Sequence, residues 1–89
     1  MAAHGAYRLT RMLDNLSVIQ GVEVMCAAQG IEARDPLRTS DTLQTVLARF
    51  RETVPALGAD RYLAPDIVAA TGLVKSGALV RAAGAENAL

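Results

Sequence analysis

The sequence predicts an all-α fold, one long N-terminal helix followed by two or three shorter ones, and three observations carry that prediction. Hydrophobic residues make up 52% of the chain but include only one Phe and two Tyr. The apolar content is therefore mainly Ala, Leu and Val, which suits close-packed helices better than a sheet sandwich. Leu9, Met12, Leu13, Leu16 and Ile19 recur at the three- and four-residue spacings of a helical stripe. Gly30, Ser40, Pro55, Pro65 and Gly77 fall where helices stop and start. With 89 residues there is room for one domain at most, and its stability is marginal unless a partner covers more surface.

The first helix is expected over about 2–29. Its first half carries Arg8, Arg11 and Asp14 and should be half solvated, with Arg11 and Asp14 one turn apart. In its second half Val18, Ile19, Val22, Val24, Met25, Cys26, Ala27 and Ala28 point in nearly every direction, which calls for helices all around. Gly30 supplies a left-handed stop. A connector follows, where Pro36 disfavours helix at Asp35. Ser40 is a good N-cap for a helix over about 41–54, and Asp41 sits at the positive end of its dipole. Leu43, Val46, Leu47, Phe50 and Val54 give that helix one apolar face until Pro55 ends it. The loop 56–64 contains Gly58 and a single expected turn at Asp60–Leu63. Pro65 opens a short helix over about 65–76, with Ile67, Ala70, Thr71 and Val74 on one face and a stop near Gly77. Leu79 and Val80 add one further turn, and 82–89 should fray. The sequence has no internal repeat or low-complexity segment.

Two lengths conflict with a self-sufficient fold. At 1.5 Å per residue the first helix would be roughly 42 Å long and the second about 21 Å, against a radius of gyration near ~12 Å for a compact domain of this size. The long helix should overhang its companions. The expected partners are therefore further copies of the chain, as a homo-oligomer, or a remainder of the same polypeptide.

Charge and composition exclude other partners. Nine basic and nine acidic side chains cancel, so the broad positive field of a non-specific nucleic-acid binder is missing, and no nucleic-acid partner is expected. Runs without a formal charge, such as Asn15 to Val22, fall far short of the ~20 apolar residues of a spanning helix. No membrane partner is expected either. The lone Cys26 fits a reducing compartment, and no basic region followed by an apolar one marks a secretory signal. A cytoplasmic location is the expectation.

The side chains able to do chemistry are few. His4 is the only histidine and lies about six turns from Cys26, so a metal site of His, Cys and carboxylate is not expected, and His4 reads as solvent-facing. Cys26 could be a nucleophile only beside a base that the sequence does not provide, and reads better as a small buried hydrophobe. Glu23 stands in an apolar segment, where an unpaired carboxylate is costly. Pairing with an arginine of the second helix or of a neighbouring chain, with Arg49, Arg51 and Arg61 as candidates, is a more natural role for it than acid or base chemistry. Asp60, Arg61 and Asp66 form a dense polar group around Tyr62 and Pro65, and Asp60 and Asp66 read as helix-end residues ahead of a functional loop. There is no glycine-rich phosphate loop and no paired-cysteine motif. No catalytic, cofactor-binding or metal-binding residue is assigned.

Read as blocks, the sequence resembles the last fifth or so of the histidine ammonia-lyases. Arg8-Leu9 and Asp14-Asn15 lead to Val22-Glu23-Val24 and Ala27-Ala28-Gln29-Gly30. Then come Leu37-Arg38-Thr39-Ser40, Arg51-Glu52-Thr53-Val54-Pro55 and Asp60-Arg61-Tyr62-Leu63-Ala64-Pro65-Asp66-Ile67, so that the likeness runs from Met1 to about Val80. The resemblance implies a helical-bundle lyase subunit that assembles as a tetramer and converts L-histidine to urocanate and ammonia. The electrophile of that family is a methylidene-imidazolone group cyclised from an internal Ala-Ser-Gly. Here Lys75 precedes Ser76-Gly77, and the family's Gln-Glu-Asp stretch would fall before Met1. The resemblance thus implies a C-terminal fragment, from a split frame, an internal start or deliberate truncation, that is non-catalytic alone and serves helix packing or oligomer assembly. A stand-alone helical protein-interaction module is the alternative. Either way, Leu16→Asp in the long helix is expected to abolish folding or association.

Overall fold

The computed structural model describes residues 2–58 and 60–85. They form four helices, α1 (Ala2–Glu32), α2 (Asp41–Thr53), α3 (Ala64–Ser76) and α4 (Ala78–Ala82), with no strand among the described residues. The architecture is all-α. None of the helices is long and apolar enough to cross a membrane.

α1 spans 31 residues, roughly 46 Å at the standard rise. No proline interrupts it, and its mid-helix hydroxyls are satisfied locally: Thr10 donates to the Ala6 carbonyl and Ser17 to that of Leu13, each at 3.0 Å. The expected stop at Gly30 is not there. Gly30 is helical, and the left-handed glycines are Gly77 and Gly84. Two contacts carry α1 past it: Ala33 N–H donates to the Gln29 carbonyl at 2.9 Å, and Arg34 Nη1 donates to the Gly30 carbonyl at 2.7 Å. Turns over 33–36 then lead to the cis Asp35–Pro36 bond.

Ser40 caps α2 by accepting from the Leu43 N–H at 3.3 Å, with Asp41 in the first turn. No helical turn forms at Asp60–Leu63; the described parts of that loop, residues 55–58 and 60–63, are irregular, and α3 starts at Ala64 with Pro65 in its first turn. Gly77, at φ 76°, closes α3 in the left-handed conformation and opens α4. α4 holds Leu79 and Val80, Ala83 and Gly84 form a turn, and the part of the expected frayed end at 86–89 lies outside the described residues.

The core comprises Ala28, Phe50, Val54, Ala70, Leu73 and Ala78, flanked by half-buried Val24, Met25 and Leu47. It sits where the second half of α1, the end of α2 and the α3–α4 pair meet. The closest approach is at Gly21, where a Cβ would lie 3.0 Å from the Thr71 backbone nitrogen and 3.0 Å from its hydroxyl oxygen. α1 therefore packs on α3 through a line of small residues, Ser17, Gly21, Val24 and Ala28, one helical turn apart.

Only this side of α1 is covered. Within the single chain Val22, Glu23, Cys26 and Ala27 are exposed, because three short helices reach one face and no more, as the expected overhang of the long helix implies. The stripe on the far side is open, with Leu9, Met12, Leu13, Leu16 and Ile19 between 46% and 63% exposed. The molecule is elongated, 54 × 35 × 18 Å, with a radius of gyration of 15.2 Å.

Candidate functional site

The residues singled out from the sequence are not brought together. His4 and Cys26 both lie on α1 and are exposed, about 33 Å apart along its axis. Cys26 is not the buried hydrophobe expected of it, since it points away from the line that packs on α3. Among the described residues no group of three His, Cys, Asp or Glu side chains could hold a metal ion.

Glu23 is exposed on α1 and has no ion-pair partner among the described residues. The arginines expected to meet it are engaged elsewhere: Arg49 with Glu52 at 3.6 Å, Arg51 with Glu32, and Arg61 with Asp66 at 2.9 Å. Asp14, one turn from Arg11 on α1 as expected, accepts from Lys75 of α3 at 2.9 Å, an ion pair between helices.

Two arginine forks define the polar geometry. Arg51 grips the Glu32 carboxylate at the end of α1 and donates from Nη1 to the Val54 carbonyl at 3.1 Å, tying α1 to the end of α2. Arg61 donates to the Asp66 carboxylate, to the Ala56 carbonyl at 3.1 Å and to the Pro55 carbonyl at 2.8 Å. The Asp60–Arg61–Asp66 group is therefore a loop fastener. Asp66 is the arginine's counter-ion, and Asp60 caps no helix, α3 being preceded by Leu63 without a side-chain cap bond.

Replacing Arg61 by Ala should lower stability by about 1 kcal/mol, the scale of a partly exposed charged network. Urea denaturation measures this, and Arg61→Lys should not restore it, since a single ammonium cannot span all three acceptors.

Sequence reasoning missed Glu32, whose partner is nineteen residues away, and it missed the grooves. One, of about 550 Å³, is bordered by Glu32, Asp35, Arg38, Thr39, Gln44 and Arg51, where Arg38 bonds Gln44 and Gln44 donates to the Thr39 carbonyl at 2.7 Å. Of its charged groups, Glu32 and Arg51 pair with each other, and Arg38 is held by the Gln44 amide. Another, of about 390 Å³, is apolar and lies between α1, α2 and α4, with Val24, Ile31, Leu43, Phe50 and Leu79 among its walls. Neither contains a nucleophile beside a base.

Lys75-Ser76-Gly77 does not fit a precursor of the methylidene-imidazolone group. Lys75 stands where the family's triplet has Ala, and its ammonium is bound to Asp14 of α1. Ser76 terminates α3, donating to the Leu73 carbonyl and accepting from the Ala78 N–H, each at 3.3 Å.

Known proteins that resemble the chain agree with one another. The family model for aromatic amino acid lyases matches residues 1–52. A histidine ammonia-lyase of Roseobacter denitrificans is 57% identical over 79 residues, which is 89% of this chain and 15% of that protein. One of Bradyrhizobium diazoefficiens is 55% identical over 83 residues, 93% of this chain and 16% of that protein. The chain thus spans only about 15–16% of the length of these curated relatives. No solved structure matches it significantly. With more than half of its residues inside the family model, the chain belongs to the aromatic amino acid lyase family.

Proposed function

We propose that this segment is a structural, C-terminal part of a histidine ammonia-lyase-like subunit, contributing helix packing or oligomer assembly and doing no chemistry by itself. The observation that carries the reading is the open apolar stripe of α1, Leu9 to Ile19, which faces away from every other described helix. Large apolar side chains aligned over several turns mark a surface made to be covered. The 55–57% identity to histidine ammonia-lyases supports the parent activity, elimination of ammonia from L-histidine in histidine breakdown, in a cytoplasmic setting. His4, Cys26, Glu23 and the Asp60–Arg61–Asp66 group supply packing, charge or loop fastening in place of catalysis.

The purified chain incubated with L-histidine should generate no urocanate absorbance. Turnover above a buffer control would overturn the non-catalytic assignment.

A further inference from the structure

We propose that the Asp14–Lys75 ion pair is a clasp that sets how far order extends along α1, and that acylation of Lys75 opens it.

Asp14 occupies a defined place on the helix. The residues of α1 that pack on α3, Ser17, Gly21, Val24 and Ala28, follow one another at steps of four, three and four, and Asp14 is the next position on that line, three residues before Ser17. The line changes character at its outer end, from close approach at Gly21, where a Cβ would stand 3.0 Å from the Thr71 nitrogen, to a charge contact at Asp14. The change is matched on α3, where Lys75 lies one turn beyond Thr71. Lys75 Nζ donates to Asp14 Oδ1 at 2.9 Å. Among the described residues no hydrogen bond or ion pair joins any residue before Asp14 to another helix.

The cationic member of the clasp is open to chemistry. Lys75 is the only lysine of the chain, and its side chain is 52% exposed, so an acyl phosphate or an acyl thioester can reach Nζ from solvent. The ammonium gives its proton to water and the amine lone pair attacks the acyl carbonyl carbon. The N–C bond forms, and phosphate or thiolate leaves with the electron pair of the broken bond. The product amide is neutral, so Asp14 loses its counter-ion on α3. Arg11, one turn away, can take up the carboxylate without tying α1 to α3.

An exposed ion pair adds little to the stability of a whole domain. The segment it holds, however, is itself marginal, because an isolated helical stretch of about 12–15 residues lies near the balance of helix and coil. A small bias there changes the open population measurably, whereas Gly21 to Ala28 are fixed by packing and should not respond.

Residue-resolved amide hydrogen exchange on the full chain tests this. Lys75→Gln, or the wild-type chain treated with acetyl phosphate, should exchange about two- to threefold faster over residues 8–14, with Gly21 to Ala28 unchanged. Lys75→Arg keeps the charge and should exchange as the wild type does; having no lysine, it should keep that protection when treated with acetyl phosphate. Asp14→Lys and Lys75→Asp should each loosen the segment, and together should loosen it less than the two effects added. Salt at about 1 M should shrink the difference between wild type and Lys75→Gln. Equal exchange in wild type and Lys75→Gln, a difference untouched by salt, or charge changes that simply add would overturn the proposal. So would faster exchange confined to the end of α3, where a lysine also meets the helix dipole.

Discussion

Phe50→Ala is expected to leave the chain largely unfolded at 25 °C. Phe50 is 1% exposed and is the one aromatic of a core in which Ala28, Ala70 and Ala78 make up half of the buried residues and have no side chain to refill its space. Deleting such a ring costs about 3–5 kcal/mol, the upper part of that range applying where neighbours cannot collapse into the cavity. The whole stability of a domain this size is about 4–13 kcal/mol, and a core of six residues, three of them alanines, belongs at the low end. Helicity at 222 nm followed through a urea titration should show the midpoint lost or moved close to zero denaturant. Phe50→Leu, which keeps most of the volume, should remain folded with a reduced midpoint.

Gly21→Val should be nearly as damaging for the opposite reason. A Cβ at residue 21 would stand 3.0 Å from the Thr71 nitrogen and 3.2 Å from its Cα, and backbone atoms inside a helix cannot swing aside as a flexible side chain can. α1 and α3 would have to separate, opening the contacts of Ala28 and Ala70 together. Overpacking of this kind costs about 1–3 kcal/mol and occasionally more, while the helix-propensity gain of leaving glycine is about 1 kcal/mol at most. The clash wins. Thermal unfolding should show a drop of roughly 10 °C or more. Gly5→Ala, with nothing near its Cβ position, should raise helicity slightly.

These two sites also show what the sequence makes legible. The apolar face of α2 could be read directly, because Leu43, Val46, Leu47, Phe50 and Val54 keep strict helical spacing beside a serine cap, and hydroxyl-to-backbone capping is a local interaction. α1 carries two apolar lines, and hydrophobicity favours the wrong one as the core. The large residues Leu9 to Ile19 lie outside, while the packed line is Ser17, Gly21, Val24 and Ala28, small residues whose value is close approach and not transfer free energy. For that reason Leu16→Asp is expected to act on association and leave the single-chain fold intact.

Among the polar groups, Arg61 with Asp66 could be anticipated from their proximity in sequence. The fork onto Pro55 and Ala56 could not, nor could Arg51 with Glu32, because both depend on where the chain returns in space. Glu23 meets none of the arginines of its own chain that its apolar setting suggests, because Arg49, Arg51 and Arg61 pair elsewhere and only one side of α1 is covered. Gly30 likewise carries a helix-stop signal that is overridden, since the Gln29–Ala33 bond and the Arg34 guanidinium extend the last turn.

The bare N-terminal half of α1 has a consequence for cooperativity. Residues 2–16 are exposed throughout and, apart from Asp14 to Lys75, have no ion pair to the other helices. An isolated helical stretch of about 12–15 residues is marginal in water, so in a single chain these turns open and close on their own while Gly21 to Ala28 stay anchored. Local order at the amino end thereby becomes a gauge of whether the outer face of α1 is covered, independent of the state of the hydrophobic centre.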